Sequence, residues 1–116
     1  LFTDSVQAQD LPVISDPEPA DDATINTESV DLSVYVAQND GHNLLVEFYA
    51  GSDTSGTLID SVTKTSTASG VRAYCPSSWT HGATDGETKV WTVKVTDQYT
   101  NDWSSSTYQL NYQVVI

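Results

Sequence analysis

The sequence predicts an all-β fold: a two-sheet antiparallel sandwich of about seven strands. Three observations predict it. The first is strict alternation. Val30, Leu32, Val34 and Val36 share one parity, with Asp31, Ser33 and Tyr35 on the other. Trp91, Val93 and Val95 repeat the pattern, as do Tyr108, Leu110, Tyr112, Val114 and Ile116. A period of two sends successive side chains to opposite faces of a sheet, so each run reads as a strand with one face in a core. The second is the near-regular recurrence of turn signals, Asp40-Gly41 and Asp85-Gly86 among them. The third is that no stretch carries the period of an amphipathic helix. Short alternating strands with frequent turns are the pattern of a sandwich.

Taken in order, residues 1–10 are loosely patterned and read as an N-terminal arm or linker; residues 11–116 form the domain. A first strand begins at Val13 and Ile14, after Leu11-Pro12. Residues 16–22, Asp-Pro-Glu-Pro-Ala-Asp-Asp, read as a turn, because two prolines remove backbone donors and the acids resist burial. Strands are expected over 30–37, 44–50, 58–63 (a short edge strand), 70–75, 89–96 and 106–116. Residues 76–87 form a longer connection. The expected core is Leu32, Val34, Phe48, Trp91, Val93, Val95, Leu110 and Tyr112. Cys75 follows Ala73 on the parity of Val71 and reads as a small buried hydrophobe. As the lone cysteine it can form no internal disulfide.

Composition excludes several classes. Sixteen Asp and Glu against four Lys and Arg give a net charge of −12 over 116 residues. Such a field repels phosphate backbones, so nucleic acid is not an expected partner. No run is long and apolar enough to span a membrane. Acidity combined with many Ser and Thr and few Lys suits an extracellular or high-salt setting, where a hydrated anionic surface keeps a protein soluble, and the expected location is extracellular or on a cell or virion surface. The chain opens at Leu1 without a Met, which reads as a processed product or an excised piece. No nucleophile elbow, zinc-protease helix, phosphate loop or dinucleotide fingerprint is present, and the expectation is a protein that is not an enzyme.

Candidate sites follow from the loops. In a seven-strand sandwich, the turns around residues 40 and 97–102 meet the start of the first strand at one pole. That gathers Asp10, Asp40, Asp97 and Asp102, with Asn39, Asn43 and Asn101 as amide oxygens, a rim suited to the hard oxygen shell of calcium. The opposite pole collects Asp16, Asp21, Asp22, Asp53 and Asp85. Solvated acidic loops are the plainer reading of both, and no other cofactor is expected. Tyr99 and Trp103 lie by a turn where aromatic faces could stack on a glycan, while Trp79 and Trp103 could equally cap the sandwich ends. Strand 44–50 carries apolar residues on both parities: Leu45 and Tyr49 flank Glu47 opposite Leu44, Val46 and Phe48. That second face reads as a patch covered by a neighbouring chain or by residues 1–10. Leu1, Phe2, Val6, Leu45 and Tyr49 are therefore the expected interaction residues.

Four segments carry a family resemblance. Pro17-Glu18-Pro19-Ala20-Asp21-Asp22-Ala23-Thr24 resembles the Pro-Ala-Asp-Gly-Ala-Thr entry of prokaryotic fibronectin type III and immunoglobulin-like surface domains. Asn39-Asp40-Gly41-His42-Asn43-Leu44 resembles their Asp-Gly-Asp-x-Leu turn, with His42 in place of an Asp. Val46-Glu47-Phe48-Tyr49-Ala50-Gly51, followed by Gly56-Thr57-Leu58-Ile59, is similar to their Val-x-Phe-Tyr-x-Gly…Gly-Thr-Leu-Ile stretch. Trp91-Thr92-Val93-Lys94-Val95-Thr96-Asp97 is similar to their penultimate strand. The resemblance implies a spacer, an adhesion module or a surface-filament subunit. The partners implied are copies of the chain or neighbouring surface domains; the alternative is a carbohydrate-binding or adhesion domain with a calcium rim.

Overall fold

The computed structural model describes residues 11–98 and 105–115. These form ten strands and no helix: β1 Val13–Glu18, β2 Ala23–Ile25, β3 Ser29–Val30, β4 Ser33–Ala37, β5 Asn43–Ala50, β6 Thr57–Thr65, β7 Val71–Tyr74, β8 Trp79–Thr80, β9 Thr88–Asp97 and β10 Ser105–Val114. They pair into a three-stranded sheet β1-β4-β7, a five-stranded sheet β2-β10-β9-β5-β6 and a two-stranded ribbon β3-β8.

Alternation decides which face of each strand is inside. Val34 and Val36 of β4 and Ala73 of β7 join Leu44, Val46 and Phe48 of β5 in one core cluster, together with Trp91, Val93 and Val95 of β9 and Leu110, Tyr112 and Val114 of β10. Both larger sheets thus feed one core, which gives the molecule its sandwich-like character. All eight residues expected in the core are buried, and so is Cys75. Phe48 and Trp91 stack with ring centroids 6.3 Å apart. Along its two sides the arrangement is tied by β1 against β10 and β6 against β7.

Four expectations are corrected. The strands number ten in three sheets, not seven in two, and β2 runs parallel to β10 through Ala23–Tyr112, Thr24–Gln113 and Ile25–Val114. The strand expected over 30–37 is broken at Asp31: Val30 belongs to β3 and pairs with Trp79, which also puts strand β8 inside the expected 76–87 connection. The turn expected over 16–22 starts late, because β1 continues to Glu18. A register irregularity between Ser15 and Glu18 absorbs Asp16 in a left-handed conformation (φ 46°). Arg72 fixes this kink, its Nη1 donating to the Asp16 carbonyl at 2.6 Å and to Ser33 Oγ at 3.2 Å while the guanidinium sits 5.1 Å from the Tyr35 ring centre. The edge strand expected over 58–63 is longer, nine residues in β6. Gly70 lets β4 and β7 close. Its φ of +94° favours glycine, and a Cβ there would lie 2.7 Å from the Tyr35 ring.

Candidate functional site

The expected loop rim is partly assembled. Asp40 sits in the turn between β4 and β5, where Gly41 adopts φ 73°, and His42 follows just before β5. Asp97 ends β9. Backbone bonds bring these elements together: Gln98 N–H to Asn43 O (3.0 Å), Ser66 N–H to His42 O (2.9 Å) and Gln38 N–H to Thr67 O (3.1 Å).

Asp97 is fully buried, and its carboxylate is met from two sides. Gln38 Nε2 donates to Oδ2 at 2.9 Å, and His42 Nδ1 lies 2.9 Å from Oδ2 and 3.1 Å from Oδ1. An ionised carboxylate only accepts, so this geometry puts the imidazole proton on Nδ1. Asp40 Oδ2 lies 3.9 Å from the same nitrogen. One ligand atom from each of Asp40, His42 and Asp97 falls within 4.8 Å of the others.

Two of the four carboxylates expected to hold calcium, Asp40 and Asp97, therefore converge. Asp10 and Asp102 lie outside the described residues, as do Asn101, Tyr99 and Trp103. His42 was missed as a member. Its signal was present in the sequence, two residues from Asp40 in the same turn. Its presence changes the chemistry. Calcium takes six to eight oxygens, whereas the described trio offers two carboxylates and an imidazole nitrogen, a set better matched to borderline metals. Any ion here would have to displace the Nδ1 proton that Asp97 now accepts. As arranged, the constellation satisfies a buried carboxylate with hydrogen bonds.

Of the expected interaction residues, Leu1, Phe2 and Val6 lie outside the described residues. Leu45 and Tyr49 are half-buried on the outward face of β5. Within the sheet, Leu45 stands between Thr63 and Thr96, and Tyr49 between Leu58 and Thr92. Burial raises the Tyr49 hydroxyl above its ordinary pKa, with a further push from Glu47. Trp79 is half-buried and caps the core, its ring 6.1 Å from Tyr112 and 6.2 Å from His81.

Two features at the sheet margins were not singled out as sites. β6 ends the five-stranded sheet, and among the described residues no strand pairs with its outer edge. Leu11 and Val13, at the start of β1, are 58% and 59% exposed. No helix of the described residues is long and apolar enough to cross a membrane. No protein-family model, curated protein or solved structure matches the chain.

Proposed function

We propose that this chain is a non-enzymatic structural and interaction module of a cell or virion surface. It is a sandwich of the fibronectin type III or immunoglobulin-like kind that assembles with copies of itself through residues 1–10. The sheet order supports the fold reading. β1, β4 and β7 form one sheet while β5, β6, β9 and β10 share the other, so the chain crosses between two layers from β4 to β5, from β6 to β7 and from β7 to β9, as in a Greek-key sandwich.

The observation that carries the assembly reading is the base of the arm. Leu11 and Val13 are large apolar side chains left exposed where the arm joins β1. They extend the apolar series of Leu1, Phe2, Val6 and Ala8. Two large apolar side chains left exposed together beside that series support a protein contact there. The test is light scattering and electron microscopy on the full chain over a concentration series, beside a chain lacking residues 1–9. Polymers from the full chain that vanish on deletion, with the thermal transition retained, are expected. Polymers that persist without the arm would overturn the reading.

A second reading, a calcium-rimmed adhesion or glycan-binding domain in the same setting, is favoured by the convergence of Asp40 and Asp97. Thermal midpoints with calcium, magnesium and zinc at fixed ionic strength test it. A rise specific to calcium supports it, and equal shifts for all three contradict it.

A further inference from the structure

We infer that residues 2–8 of one copy add as an antiparallel strand to the open edge of β6 in the next copy, with Val6 opposite Val62. This rests on the reading that residues 1–10 drive assembly, and it names the surface that receives them. Edge strands present unpaired backbone groups that an extended segment can satisfy.

Length selects β6. It runs nine residues, roughly 30 Å at about 3.3 Å per residue. Ten arm residues reach about 33–36 Å when extended. The other edges are shorter: β2 has three residues, β7 four, and β1 six with a kink at Asp16. The core is also only partly covered at β6. Ile59 and Val62 pack against the buried cluster yet remain only half-buried.

Side-chain chemistry selects the register. Phe2, Asp4, Val6 and Ala8 share one parity of the arm, with Thr3, Ser5 and Gln7 on the other. On β6, Val62 pairs with fully buried Val46 and so has the inward parity, as do Asp60 and Lys64 through Phe48 and Leu44. With Val6 beside Val62, an antiparallel strand sets Asp4 opposite Lys64 and Ala8 opposite Asp60. A parallel strand would set Asp4 against Asp60, a like-charge pair. On the outward face the antiparallel register aligns Thr3 with Thr65, Ser5 with Thr63 and Gln7 with Ser61, all able to hydrogen-bond across strands.

Topology makes the contact head-to-tail. β1 lies against β10, and β6 stands three strands from β10 in its sheet, so the arm's base and the receiving edge are on opposite sides of the domain. A contact between two different surfaces of the same chain leaves one of each free at the ends, and copies joined this way form a filament wherever the rotation between them does not close a ring.

Cysteine pairing tests the register in the full chain carrying Cys75→Ala. Ser5→Cys with Thr63→Cys, mildly oxidised, should give a ladder of covalent oligomers on a non-reducing gel. Ser5→Cys with Thr57→Cys, out of register, should not. Asp4→Lys or Lys64→Asp alone should raise the half-assembly concentration about two- to fivefold, and the two together should restore it. Arm-dependent polymers without the ladder and without charge-swap rescue would overturn the β6 assignment while leaving arm-driven assembly standing. A disulfide confined to monomers would overturn the head-to-tail contact. A full chain that stays monomeric would overturn both.

Discussion

Val46 and Val62 face each other across β5 and β6, on the same face of the same sheet, yet one is fully buried and the other half-buried. The difference is position. β5 has a strand on either side, while β6 has one neighbour and an open edge. Alternation decides which way a side chain points, and only the order of strands in the sheet decides how deeply it is covered. The centre of the five-stranded sheet is therefore a finished core, and its β6 margin is one that a further strand would complete.

The largest effect expected belongs to the centre. Trp91→Ala should cost about 3–5 kcal/mol in denaturant unfolding, because the ring is fully buried and stacks on Phe48. A loss below about 0.5 kcal/mol, the size of a surface change, would remove Trp91 from the core. His42→Ala comes next. It removes a donor from the buried Asp97 carboxylate, and a hydrogen bond to a charged group is worth about 1.5–3 kcal/mol. An unchanged unfolding midpoint would mean that the carboxylate is held without His42.

The valine pair sharpens the contrast itself. Val46→Ala should cost about 2 kcal/mol and Val62→Ala about 1 kcal/mol, at roughly 0.8 kcal/mol per buried methyl or methylene group. The comparison belongs in dilute solution, where no neighbour covers β6. Equal losses would mean that the edge is already as covered as the centre.

The smallest effect is electrostatic and lies at the margin. Asp60, on β6, has its carboxyl held below the usual range by the Ser77 hydroxyl at 2.6 Å and then by the Ser61 N–H at 2.8 Å. Glu87 is lowered chiefly by the Thr84 N–H. A carboxylate with a depressed folded pKa stabilises above its unfolded pKa, about 4, and that contribution is lost as pH falls through the lower folded value. Asp60→Asn should therefore make the decline in thermal midpoint below about pH 4 shallower. An identical acid limb in the variant would show that the Ser77 bond does not form in solution.

Much of this fold was legible because its signal is local. The runs at 91–95 and 108–114 identified β9 and β10 and their buried residues without any knowledge of partners. The break at Asp31 was not legible, since Val30 continues the alternation of Leu32 and Val34 and leaves it only to pair with Trp79. The kink in β1 was hidden for a related reason: Asp-Pro-Glu-Pro reads as a turn until Arg72, 56 residues away, holds the Asp16 carbonyl. At the candidate rim, sequence reasoning gathered Asp40 and Asp97 from loop geometry. It passed over His42 because an oxygen-only search for calcium has no place for an imidazole. The openness of β6 could be guessed from its edge position, but its length and its register on Val46 needed the pairing.

The central claim, that the β6 edge receives the arm, is tested most directly by amide hydrogen exchange on Val62–Thr65. Those amides of the segment that point away from β5 should exchange slowly in the full chain at assembling concentrations and rapidly after residues 1–9 are deleted, while the core amides of β9 stay protected in both. The same exchange rates across Val62–Thr65 with and without the arm, in samples that do assemble, would contradict the account.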